Sequence, residues 1–175
     1  MLALAVLVLA GCSDRLGEFR RALAAQDSAT AALGQWCETR RIARPATIRA
    51  ERITDALAPS AEVRGLLQAG AQDAIGYRHV RLSCGGTVLS VAHNWYLPAR
   101  LTPAMNRALD TSDTPFGRVV APLGFTRRRL EEVRGAVTGC PRGTILAHRG
   151  LLVGPDGAPF SLVIECYTRA NLARR

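Results

Sequence analysis

The 175-residue sequence contains no lysine and few aromatic residues, which make up 5% of the chain. Its formal charge of +9 therefore rests on arginine alone. A strongly basic chain is a candidate for binding nucleic acid or another anionic partner. However, the arginines are scattered apart from Arg127-Arg128-Arg129, and aromatic residues that could stack on bases are not interleaved with them. We therefore expect no nucleic-acid partner, and a small anion suits these arginines at least as well.

The common catalytic and metal-binding motifs are also missing. The chain has no Walker loop, GxGxxG, GxSxG or HExxH, so nucleotide-binding, hydrolase and zinc-protease interpretations lose their support. No CxxC occurs, and His79, His93 and His148 are isolated from one another in the sequence. We expect these histidines to be structural or surface residues, with no metal site and no cofactor.

The first twelve residues, MLALAVLVLAGC, form a segment of their own. The apolar run is too short to cross a bilayer as a helix, and Leu9-Ala10-Gly11-Cys12 resembles the lipobox of bacterial lipoprotein signal peptides. In that pattern the cysteine is lipidated and begins the mature chain. The sequence therefore predicts a signal segment at 1–12 and a single domain at 13–175, anchored to the bacterial envelope through Cys12 and facing the periplasm. A buried N-terminal helix in a cytoplasmic protein is the alternative.

Four cysteines remain after Cys12: Cys37, Cys84, Cys140 and Cys166. An even set in an oxidising compartment permits one or two disulfides. Three full pairings are open, and the sequence does not choose among them.

Hydrophobic periodicity and turn signals predict an α+β domain. Helices are expected at about 15–25, from Ser28, in PSAEVRGLLQ and in LTPAMNRAL. The expected strands are ATIRAERI, YRHVRLSC, TVLSVAHNWYL, GFTRRRLEEVRG, TILAHRGLLV and APFSLVIECYT. Glycines predict tight hairpin turns at 85–86 and 154–157. Hairpins without βαβ alternation indicate a single antiparallel β-sheet.

Two charged residues lie in otherwise apolar rows. On a strand, Glu165 of SLVIECYT shares a face with Val163 and Tyr167, and Arg78 of YRHVRL shares one with Val80 and Leu82. A carboxylate among such neighbours should be paired, protonated or catalytic. Arg78 and Glu165 could form a structural ion pair with each other, or they could act on a ligand.

The chain from about Tyr77 to Leu172 resembles the chorismate pyruvate-lyase-like family. The resemblance rests on YRHVRL, on TPFG within WYLPARLTPAMNRALDTSDTPFGRV, and on HRGLLVGPDGAPFSLVIECYT. It implies a single antiparallel sheet with helices packed on one side around a small closed ligand cavity, a fold shared with UTRA ligand-sensing domains. It also implies that Arg78 binds the carboxylate of an aromatic acid, that Phe116 contacts the ligand through its backbone, and that Glu165 lies near the ring oxygen. On its own, TPFG could equally be a helix start with proline in its first turn.

The predicted function is binding of an aromatic carboxylic acid, with elimination of pyruvate from chorismate to give a hydroxybenzoate. In that reaction Arg78 would hold the carboxylate, and Glu165, with its pKa raised by desolvation, would donate the proton. No cofactor is needed, and the protein is expected to be a monomer. The alternative is a lipid-anchored, non-catalytic binding module of the envelope, because chorismate is a cytoplasmic intermediate.

Overall fold

The computed structural model describes residues 14–173. The predicted signal segment at 1–12, including Cys12, lies outside the described residues. The lipid anchor therefore stays a prediction. Within residues 14–173, none of the helices has the length and apolarity needed to cross a bilayer.

Six strands form one antiparallel sheet. The strands are β1 (Ile48–Arg52), β2 (Gly76–Cys84), β3 (Thr87–Tyr96), β4 (Thr126–Arg134), β5 (Leu146–Val153) and β6 (Pro159–Tyr167). Their order across the sheet is β1-β2-β3-β6-β5-β4. Every neighbouring pair is antiparallel, and the β2–β3 and β5–β6 hairpins turn where the glycine signals predicted. The predicted α+β class and single antiparallel sheet are confirmed.

Five α-helices accompany the sheet in residues 14–173. They are α1 (Arg15–Ala24), α2 (Ala29–Thr39), α3 (Ala61–Leu66), α4 (Pro103–Thr111) and α5 (Phe116–Val119). The side chain of Ser28 accepts a hydrogen bond from the amide of Ala31 at the start of α2. Thr102 caps α4 in the same way, with Pro103 at the first helical position. Both helices thus begin at the capping residues that the sequence indicated.

The helices cover the sheet unequally. Helices α1 and α2 pack Phe19, Leu33 and Trp36 on one face of the sheet, in a core that includes Tyr167. Farther along the same face, α4 and α5 enclose a second core around Leu109 and Phe116. The short helix α3 lies on the opposite face, where Val63 and Leu67 contact Trp95 and Leu162. The main helix layer therefore covers the face that carries Arg78 and Glu165.

Two disulfides join these elements. Cys37 of α2 bonds to Cys84 at the end of β2, and Cys140 in the loop before β5 bonds to Cys166 of β6. Of the three pairings that the sequence left open, the structure shows this one.

Candidate ligand-binding site

The strand register sets how far apart Arg78 and Glu165 lie. Strand β3 separates their two strands, and it pairs Asn94 with Arg78 on one side and with Val163 on the other. The next row on the same face joins Val80, Ala92 and Glu165. Arg78 and Glu165 thus face the same side of the sheet from different rows and from strands that do not touch. The interpretation that they form an ion pair with each other is wrong.

The partner of Glu165 is Arg127. Its guanidinium donates two hydrogen bonds to the carboxylate, one from Nη1 to Oε1 at 3.0 Å and one from Nη2 to Oε2. The hydroxyl of Tyr167 donates a third, to Oε2 at 2.9 Å. The two charged side chains are only 6% and 8% exposed. Glu165 is therefore the centre of a buried, bidentate ion pair.

This pairing decides the protonation of Glu165. Burial alone would raise the pKa of the carboxyl, but the charge and hydrogen bonds of Arg127, together with His148 and Tyr167, outweigh burial and lower it. The expectation of a raised pKa is therefore wrong, because the sequence did not reveal the arginine beside this carboxylate. At neutral pH Glu165 is ionised, and it lacks the proton that a general acid must donate.

Further polar side chains extend the cluster toward the protein surface. His148 is paired with Glu165 in the sheet register, and its ring lies edge-on to Tyr167 at 5.2 Å. Burial lowers the pKa of His148, and the ring nitrogen Nε2 lies 2.9 Å from Oε2 of Glu132. Arg20 of α1 donates from Nε to the other oxygen of Glu132 at 2.7 Å. His148 is thus a buried member of the polar cluster around Glu165.

Arg127 was not among the predicted site residues, because in the sequence it is only one of three consecutive arginines, Arg127-Arg128-Arg129. The side chain starts on β4 and crosses over β5 to reach β6. It passes above Gly150, where an added Cβ would lie 3.1 Å from Nε of Arg127. A glycine inside an apolar strand such as HRGLLV is a signal of close approach by another group. This glycine was therefore the available hint that a side chain crosses the strand there.

Arg78 is also buried, at 3% exposure, but its partners are uncharged. The guanidinium donates from Nη1 to the carbonyl of Thr114 at 2.8 Å and from Nη2 to that of Ser112 at 3.0 Å. Its Nε is buried without a hydrogen-bond partner, and among residues 14–173 Arg78 makes no ion pair within 4.0 Å. Burial and the nearby charge of Arg52 lower its pKa. Arg78 is thus a buried cation held by the loop that precedes α5.

Phe116 and Glu165 line one cavity between the sheet and the starts of α2 and α5. Phe116 is the first residue of α5, after Thr114 and Pro115, so TPFG is a helix start and also borders the cavity. Gly117 brings α5 close to α2, since an added Cβ would lie 2.6 Å from Oγ of Ser28. The cavity holds about 30 Å³, room for a water molecule or two. Arg78 lies next to this cavity rather than in its lining.

The chain is 41% identical over 161 residues to protein y4mC of Sinorhizobium fredii, in a match that covers 81% of this chain and 68% of y4mC. The chain belongs to the y4mC family. No family model matches it.

Solved structures share the fold of this y4mC-family domain at low sequence identity. The effector domain of PhnF from Mycobacterium smegmatis has a TM-score of 0.59 and 10% identity, with 82% of this chain and 89% of that domain covered. The possible transcriptional regulator YydK from Bacillus subtilis has a TM-score of 0.51 and 16% identity, with 73% of this chain covered. The match spans 60% of the YydK chain. These similarities show the UTRA/chorismate lyase-like fold, as the sequence resemblance implied.

Proposed function

We propose that the protein binds a small aromatic carboxylic acid and does not convert it. The observation that supports this proposal best is Arg78, whose charge is buried beside the cavity with only backbone carbonyls as partners. Asp110 and Asp113 attract this charge without contacting it, so the buried guanidinium has no directly paired counterion. A carboxylate ligand would supply one through a planar, bidentate contact. The likeness to an effector domain agrees with a binding role.

The ligand's carboxylate would replace protein groups around Arg78. The carbonyls of Ser112 and Thr114 occupy both terminal nitrogens of the guanidinium, and Nε remains available as a third donor. A carboxylate therefore reaches Arg78 when the loop at 112–115 gives up one or both of these hydrogen bonds. The same movement would shift Phe116 at the end of the loop and enlarge the cavity, which is too small for a benzene ring as it stands.

The cavity lining suits an aromatic ring. Val80, Ala92 and Val163 supply an apolar floor, and Phe116, which packs on Tyr96 with ring centroids 5.4 Å apart, supplies an aromatic wall. Asn94 contributes the amide side chain nearest in register to Arg78. The lining also includes the polar residues Asp27, Ser28, Thr30, Arg127 and Glu165, so apolar and polar groups meet in the cavity as they do in small-molecule sites.

Calorimetry with 4-hydroxybenzoate tests the role of Arg78. The variant Arg78→Ala should bind about 10- to 150-fold more weakly, the cost of one charge-assisted pair. Arg81→Ala is the matched control, because Arg81 is on the same strand but faces the other side and is exposed. Equal affinity of both variants and the wild type would contradict the proposal. A thermal melt of each variant shows whether a loss of affinity reflects unfolding.

Elimination of pyruvate from chorismate is the second candidate function. The order of Arg78, Phe116 and Glu165 in the three family-like motifs favours it. The ionised state of Glu165 speaks against it, since the ether oxygen of chorismate needs a proton as it leaves. Purified protein incubated with chorismate should therefore release no pyruvate while still binding 4-hydroxybenzoate. Pyruvate release by the purified wild type would establish the lyase instead.

We also propose that Cys12 carries a lipid. The motif Leu9-Ala10-Gly11-Cys12 motivates the proposal, and two disulfides support an oxidising compartment outside the cytoplasm. Palmitate should label the wild type in bacterial cells but not Cys12→Ser. Equal labelling, or equal partition of both chains into the soluble fraction, would contradict the anchor.

A further inference from the structure

A groove far larger than the cavity beside Glu165 lies on the opposite face of the sheet. It encloses about 790 Å³, which is within the range of small-molecule sites of about 300–1,000 Å³. Trp95 and Leu162 are buried beneath it, and the partly exposed Val133, Val137 and Ile164 form its apolar floor. One wall is the segment 57–63 at the start of α3, and the other is the end of β4 with the following loop at 136–139. The groove therefore shares no lining residue with the cavity described above.

A disulfide and a hydrogen bond hold the loop at 136–139 in place. The disulfide Cys140–Cys166 attaches the loop to β6. The ring of His93, on the floor side, has Nε2 at 3.1 Å from the carbonyl of Gly139 and Nδ1 at 2.9 Å from the hydroxyl of Tyr77. Since a carbonyl only accepts, Nε2 carries the proton and Nδ1 accepts from Tyr77. The groove is thus formed by the protein itself, and a ligand need not order its wall.

The charges at the rim are unbalanced. Arg149 lies between two carboxylates, with Nη2 at 2.7 Å from Oε1 of Glu62 and Nη1 at 3.9 Å from Oε2 of Glu131. One cation against two anions leaves a net negative charge beside an apolar floor. Both carboxylates are also largely exposed, so each keeps free lone pairs for a further donor. This arrangement attracts a cation, whereas Arg78 on the other face attracts an anion.

We infer that this groove binds an amphiphilic amine. The apolar part of the ligand lies on the partly exposed side chains of Val133, Val137 and Ile164. Its ammonium group lies at the rim, against the carboxylate oxygens of Glu62 and Glu131 that Arg149 does not contact. Leu57, which is 50% exposed at the edge of the groove, covers the outer side of the ligand's apolar part. The site is separate from the carboxylate site and does not depend on it.

A pair of fluorescent probes of opposite charge tests this inference. Dansylcadaverine carries an ammonium group and dansylglycine a carboxylate, on the same aromatic body. We expect the amine to bind the full domain with blue-shifted, enhanced emission and the acid to bind at least about 10-fold more weakly at low salt. The double variant Glu62→Gln/Glu131→Gln should weaken the amine by about 3- to 10-fold, the effect of two exposed carboxylates, and 0.5 M salt should weaken it similarly.

The second measurement is dansylcadaverine binding by a variant in which a larger side chain fills the groove. Ala58→Phe places a ring at a groove-lining residue and should reduce dansylcadaverine binding at least about 10-fold, whereas Ala104→Phe on the exposed side of α4 should leave it unchanged. Saturating 4-hydroxybenzoate should not displace the amine. Equal binding of the two probes in saturating 4-hydroxybenzoate, which occupies the Arg78 site, or full binding by Ala58→Phe, would overturn the inference. So would sedimentation that shows a dimer dissociated by Ala58→Phe, which would assign the groove to a second copy of the chain.

Discussion

The buried ion pair between Arg127 and Glu165 makes the sharpest quantitative prediction. Removing one partner leaves the other charged in the interior, so Arg127→Gln and Glu165→Gln should each lower the free energy of unfolding by about 3–5 kcal/mol. For a domain of this size, that corresponds to a loss of about 6–20 °C in Tm. The hydrogen bond from Tyr167 does not compensate, because it supplies no opposite charge.

The double variant Arg127→Gln/Glu165→Gln measures the interaction between the two side chains apart from the contribution of each one alone. With both residues changed to glutamine, no charge is stranded and the two amides can hydrogen-bond to each other, so the total cost should be about 1–3 kcal/mol. This cost is well below the sum of the single variants. The expected coupling free energy is therefore at least about 3 kcal/mol.

Urea denaturation at pH 7 measures all four proteins of the cycle. The control cycle uses Arg81 and Glu51, an ion pair on the surface whose side chains are 44% and 67% exposed. Its coupling should stay below about 1 kcal/mol. If the coupling of Arg127 with Glu165 were equally small, the conclusion that a buried, mutually dependent pair holds Glu165 ionised would be refuted.

Three further predictions concern stability. Gly150→Ala should destabilise the protein by about 1–3 kcal/mol because its Cβ meets the guanidinium of Arg127. The control Gly65→Ala, on α3 with open space around it, should be neutral or stabilising. Thermal melts give the Tm of both variants. Removing the disulfide that closes the loop between Cys37 and Cys84, a separation of 47 residues, with a double alanine variant should cost about 2–4 kcal/mol by urea denaturation, and a loss below 1 kcal/mol would contradict this. Folding lowers the pKa of Glu165, so its stabilising contribution is complete above the unfolded value of about 4.3 and is lost as the pH falls below it. The stability gap between wild type and Glu165→Gln should therefore shrink in acid, and a gap that widened in acid would have the wrong sign.

The elements of the fold could be predicted because their signals are local. Strand alternation, the glycines of the two hairpins and the capping residues Ser28 and Thr102 each act within a few neighbouring residues. The face of the sheet that Arg78 and Glu165 share also follows from alternation along single strands. The family resemblance added the position of Phe116 beside the cavity.

The partners within the site depended on the tertiary structure. The order of the strands places β3 between Arg78 and Glu165, and it lets Arg127 reach Glu165 across Gly150 from a strand 38 residues earlier in the chain. The pairing of the cysteines follows from the same arrangement. These contacts depend on which strands become neighbours, and that is decided by packing of the whole core. The same contacts set the protonation state of Glu165. A buried carboxylate takes its pKa from the charge that packing places beside it, and here that charge is Arg127.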